Sequence, residues 1–141
     1  MNREAIFSAL FALVSSPAAL QTKSRKLLHW NDVPASQRPA LFQAQGRQTV
    51  AQPAANGLPT KWYLEASLYL YVSTEGAASP GEVLNPILDA ITATLEPNAI
   101  GTPQTLGGLV QWARIEGTIE TSEGTLGDTE VAIIPIRILT T

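Results

Sequence analysis

The chain has 141 residues, enough for one domain with a real core and too few for two comfortable ones, so residues 1–141 are read as a single domain. Apolar residues make up 45% and charged residues 15%, below the usual quarter for soluble domains, and part of the surface is therefore expected to be covered by other chains. Cysteine is absent, which excludes a disulfide framework, a thiolate nucleophile and a cysteine metal site and fits an intracellular protein; no apolar run is long enough to span a bilayer, so no membrane partner is expected.

Ile6, Phe7, Leu10, Phe11, Leu13 and Val14 recur at helical spacing, with Asn2 placed to cap the start and Pro17 to stop the run. A signal peptide is the weaker reading of this opening, because its basic region is a single Arg3 beside Glu4. The following stretch holds prolines at 34 and 39, which divide two short extended pieces, one around Leu27–Trp30 and one around Ala40–Gln45. Residues 46–60 are turn-rich and nearly uncharged and carry an Asn56-Gly57 turn signal; they read as a long projecting hairpin or loop.

Residues 61–75, KWYLEASLYLYVSTE, alternate as a strand should. Trp62, Leu64, Ala66, Leu68, Leu70 and Val72 point one way, to a core. The opposite face carries Tyr63, Glu65, Ser67, Tyr69 and Tyr71. Tyrosine pairs a large apolar ring with a polar tip, so this face suits a surface that a partner covers. A second helix is predicted from Ser79-Pro80-Gly81-Glu82 onward, with Val83, Leu84, Ile87, Leu88, Ile91 and Leu95 as its stripe; Pro86 either kinks it or starts it. The chain closes with two strands forming a hairpin, in the first of which Leu109, Ala113, Ile115 and Ile119 share one face. Pro135 cannot donate to a ladder and places an edge on the last strand. The expected class is α+β: a mostly antiparallel sheet of four to five strands packed by two helices.

Charge is divided unevenly. Residues 1–61 hold seven of the nine basic residues and two acids, a net +5, while residues 62–141 hold two bases against ten acids, a net −8. Such a split suits nucleic-acid binding or a pair of complementary surfaces. Lys23, Arg25 and Lys26 beside His29 and Trp30 are a weak nucleic-acid footprint, and an isoelectric point near 5.0 opposes it.

Chemistry-bearing motifs are scarce. One histidine excludes HExxH, and neither GxSxG nor a phosphate-binding GxxxxGK[ST] occurs. His29 and Asp32 could orient each other in a triad on paper, but a lone histidine beside a tryptophan is more often structural. Glu116, Glu120 and Glu65 offer paired carboxylates that strand surfaces routinely carry. No enzyme activity, cofactor or metal is expected.

The order of elements, the opening REAIFSALFALV, LHWNDVP followed by RPALFQAQG, WYLEASLYLYV with LNPILDAI, and QTLGGLVQWARIEGTI together resemble the tail-terminator (tail-completion) proteins of long-tailed bacteriophages, over nearly the whole chain. The resemblance implies a structural virion protein at the tail–neck junction, assembled in the host cytoplasm. It implies a homo-oligomeric ring of six subunits that caps the tail tube, ends its polymerisation and meets the head–tail connector, with DNA passing through unspecifically. Under it, Tyr63, Tyr69, Tyr71, Trp112, Arg114 and Glu116 are the expected subunit-interface residues. Arg47, Gln48, Thr49, Gln52 and Asn56 are the expected tube- or neck-contacting residues. The alternatives are another neck or minor tail protein, or a monomeric binding module using the tyrosine face.

Overall fold

A computed structural model describes all residues, Met1–Thr141. In chain order it has α1 (Arg3–Val14), β1 (Thr22–Ser24), β2 (Ala40–Gln52), β3 (Lys61–Ser73), α2 (Pro80–Thr94), β4 (Trp112–Ile115), β5 (Glu120–Thr121) and β6 (Thr129–Thr140). One open sheet has the order β1-β2-β3-β6-β4, with β5 also paired to β6; only β1–β2 is parallel. The α+β class holds, with six strands in a mixed sheet.

Both helices lie on one face of that sheet. Alternation on β3 sends Leu64, Ala66, Leu68, Leu70 and Val72 to this face, and the β3–β6 register places them opposite Ile138, Ile136, Ile134, Ala132 and Glu130. Ile6, Phe7, Leu10 and Val14 of α1 and Leu84, Ile87 and Ile91 of α2 close over them in a single core cluster. The Asn2 side chain accepts the Ala5 amide at 3.0 Å, so the predicted cap is present. Pro86 sits inside α2, which begins at Pro80, and it is exposed, on the side away from the core. The Ser79 side chain makes no capping bond.

Two local expectations are corrected and a third is refined. Leu27–Trp30 is not a strand: residues 30–32 form a short 3-10 turn, and the parallel edge strand is the polar Thr22–Ser24. The projecting hairpin expected over residues 46–60 is present, and residues 46–52 form its first arm as part of β2, which continues past a register shift between Gln45 and Gln48 and pairs with β3 out to Gln52↔Lys61. Pro135 does not lie on an edge strand, because β6 is flanked by β3 on one side and by β4 and β5 on the other. Its carbonyl accepts the Glu116 amide at 3.2 Å, so the N–H it lacks would have faced the break between β4 and β5. Gly117 occupies that break with φ 116°, and a Cβ there would meet the proline ring at 3.2 Å. In the region before β5, Ala113, Ile115 and Ile119 pack toward the helices as expected, but Leu109 is exposed.

The hairpin tip is the predicted turn. Asn56 and Gly57 both have positive φ, 53° and 79°, and Ala55 and Leu58 exchange backbone bonds across them, a two-residue turn of the mirror-image type that matches strand twist. Every residue from Gln45 to Pro59 is exposed. With about 3.3 Å of rise per residue, the part beyond Thr49 extends roughly 20 Å from the body.

Candidate functional site

The face of the sheet away from the helices is only partly covered, and it falls into three zones along β3. At its C-terminal end the chain covers itself. Residues 27–38 fold back over Tyr71, which is 3% exposed and packs with Val33, Ala40, Phe42 and Val131 in a second, smaller core. The Tyr71 hydroxyl donates to the Leu28 carbonyl at 2.7 Å, and its ring lies tilted against Phe42 with centroids 5.4 Å apart. Burial pushes the phenol above its ordinary pKa. Arg38 pins the covering segment, donating to the Thr129 hydroxyl at 2.6 Å and to the Trp30 carbonyl at 2.9 Å. Burial lowers the guanidinium pKa. Tyr71 is therefore a core residue of its own chain and not part of the exposed tyrosine surface that the alternation suggested.

Beside this cover runs an apolar groove of about 380 Å³, lined by Leu27, Leu28, Trp30, Tyr69 and Ile133 among others. Leu27 and Leu28 remain about 40% exposed, at 42% and 41%. His29 stands at its rim. Its Nδ1 accepts the Asn31 amide at 3.1 Å and its ring packs against Trp30 at 5.3 Å, so it caps the short turn and is not oriented by Asp32.

The third zone is a charged and aromatic cluster. The β3–β6–β4 register brings Tyr63, Leu139 and Trp112 into one row and Glu65, Arg137 and Arg114 into the next. Arg137 donates to Glu116 at 2.9 Å, lies 4.0 Å from Glu65 and stacks 3.8 Å from the Tyr63 ring centroid. Arg114 reaches the other Glu116 oxygen at 2.6 Å and stacks 3.8 Å from the Trp112 ring. Stacking and charge pairing use different surfaces of each planar guanidinium, so both form at once. Hydrogen bonds from Arg137 and then Arg114 hold the Glu116 carboxyl below its usual pKa, and the Glu116 bond raises that of Arg137. Next to the cluster is a cleft of about 500 Å³ lined by Gly46, Arg47, Ser67, Gly117 and Pro135 with these carboxylates.

Of the predicted interface residues, Tyr63, Trp112, Arg114 and Glu116 thus come together, Tyr69 lies apart at the groove, and Tyr71 is inside. Arg137 completes the cluster and was not singled out from the sequence. An arginine at an alternate position of the aliphatic run AIIPIRIL was the available signal. Of the predicted contact residues, Arg47 lines the cleft and the Gln48 side chain accepts Arg3 Nε at 2.6 Å, which ties it to α1. Thr49 pairs with Tyr63 where the hairpin leaves the sheet, Gln52 lies on its free part and Asn56 at its tip. No group of three or more His, Cys, Asp or Glu side chains is placed to hold a metal ion, and no helix is long and apolar enough to cross a membrane.

The fold defines a class: a two-helix, open α+β sheet with one face closed by helices and the other available for contacts. No family model and no curated protein matches the sequence. Solved structures do match the fold. A chain from the virion of a native gene transfer agent particle superposes with a TM-score of 0.58 at 10% identity, over 97% of this chain and 95% of that one. A second solved chain, whose designation names no function, gives 0.53 at 16% identity over 98% and 96%.

Proposed function

We propose that the protein is a structural component of a phage-like virion, and more finely a tail terminator. In this role a ring of its subunits closes the tail tube, stops tube growth and meets the connector of the head. The observation that carries the reading is the end-to-end likeness of fold to a chain of the gene transfer agent virion, covering nearly all of both chains. Independent support comes from the sequence resemblance, from the low charge content, and from an arrangement that offers contact surfaces in place of a cleft with a positioned nucleophile and base. The free hairpin supplies reach toward the tube or neck, and the open sheet face supplies area for neighbours.

Removal of the gene from a producing particle tests this. Electron microscopy should then show tubes of unregulated length or tails without heads. Tails of normal length joined to heads would refute the reading.

The apolar groove at Leu27, Leu28 and Tyr69 favours a second reading, a monomeric module that holds an apolar peptide. Solution mass separates the two, since the module stays a monomer at concentrations where the ring assembles.

A further inference from the structure

Two backbone edges of the sheet have no partner within the chain. β1 pairs only with Ala40–Phe42, so the outer side of β2 from Ala44 to Gln52 is bare. None of these residues makes a backbone bond beyond the β2–β3 ladder. At the opposite side of the sheet, β4 is covered at Ala113, whose amide donates to the Gln104 carbonyl at 2.8 Å, but from Ile115 to Thr121 the backbone bonds only inward to β6. Stretches of about nine and seven residues therefore present unpaired donors and acceptors, an arrangement proteins ordinarily cover, blunt with charge or use.

The charge split decides what fits there. Because the sheet order runs from β1 to β4, the basic first half of the sequence lies at one side of the sheet and the acidic second half at the other. Exposed Arg47 lies on β2, where it also lines the cleft, and exposed Lys26 follows β1 by two residues, while exposed Glu120 and Glu123 lie at or just beyond β5. Pairing two β2 edges would bring like charges, the Arg47 of each copy, to one seam. Pairing β2 of one copy with the β4–β5 side of another brings opposite charges together.

We infer that the outer edge of β2, residues 44–52, adds as a strand to residues 115–121 of a second copy, extending the sheet from subunit to subunit. This contact is head-to-tail, with different surfaces on the two sides, so it repeats and is completed only by closing into a ring. The inference deepens the ring reading and rests on it.

Two measurements on the full chain test it: sedimentation of wild type, Arg47→Glu, Glu120→Arg and the double exchange, and amide hydrogen exchange of wild type above and below the assembly concentration. Each single reversal should weaken association about tenfold, the double exchange should recover most of it, and amides within 44–52 should become protected only in the assembled form. Circular dichroism establishes that the variants are folded. A ring whose 44–52 amides exchange as fast as in the monomer overturns the edge contact while leaving the ring reading intact. A wild type that stays monomeric at every concentration and in the presence of tail tubes overturns both.

Discussion

The two faces of the sheet were built from the same strands, yet they obey different rules. On the helix side, Leu64, Leu68, Leu70, Ile134 and Ile138 have no measurable exposure, and the core continues into α1 and α2 without a break. On the other side, tyrosines, arginines and glutamates share the surface with Pro135 and Ile133, and only the end under residues 27–38 is closed. The helix face gains its stability from area removed from water within one chain. The open face holds large rings and paired charges that are adequate in water and suited to being covered. Stability is concentrated on one face and contact capacity on the other.

Truncation should expose that contrast first. Leu68→Ala, at a site with no exposure, should cost about 3 kcal/mol in denaturant unfolding, and Tyr69→Ala directly next to it, half-buried against the smaller core on the other face, about half as much. Equal losses would mean the faces do not differ. Tyr71 is the planned exception, since it lies on the open side but is buried; Tyr71→Ser should cost about as much as the leucine. Tyr71→Phe keeps the ring and strands the Leu28 carbonyl, and should cost about 1 kcal/mol.

Two carboxylates sharpen the comparison through pH. Glu130 lies on the helix side, 1% exposed, with Oε2 lacking any partner, and burial followed by the charge of Glu123 raises its pKa. A raised carboxyl favours the protonated folded state, so its contribution is present below the unfolded value and turns into a penalty as pH rises through the folded one. Glu130→Gln should therefore stabilise the protein at neutral pH, by about 1 kcal/mol, and the gain should vanish in acid. Glu116 has the opposite sign. Its lowered pKa means a stabilising contribution present above the unfolded value and lost as pH falls through the folded one. Glu116→Gln should give a smaller loss at neutral pH that disappears in acid, because the site is partly open to solvent. Unfolding midpoints across pH 3–8 read both signs. The smallest effect belongs to the hairpin: replacing residues 50–59 with a short turn removes only exposed residues and should leave thermal unfolding nearly unchanged.

What the sequence disclosed follows the same division. The strict alternation of β3 reveals its core face, because one buried side fixes a period of two. The spacing in α1 and α2 was equally plain. Residues 27–30 misled because their apolar side chains serve an irregular cover, Trp30 packing beside Tyr71 and the half-exposed Leu27 and Leu28 lining the groove, which periodicity cannot separate from a strand. Thr22–Ser24 carries no apolar signal, being an edge of three residues held by the backbone of β2. The strand in 46–52 is similarly templated by β3. Of the candidate site, Tyr63, Trp112, Arg114 and Glu116 were legible as the polar and aromatic side of two strands. Their convergence on Arg137 depends on the register of β6 between them, which no local pattern encodes.

The proposed tail-terminator role requires this chain to close into a ring at the end of a virion tail. Electron cryomicroscopy of the intact particle, at a resolution that traces side chains, tests it most directly. The account predicts a single ring of this chain between the tube and the connector, with the hairpin tips of residues 53–58 against a neighbouring protein and the cluster around Arg137 covered. Finding the chain as isolated single copies, or at a site away from the tail–head junction, would contradict it.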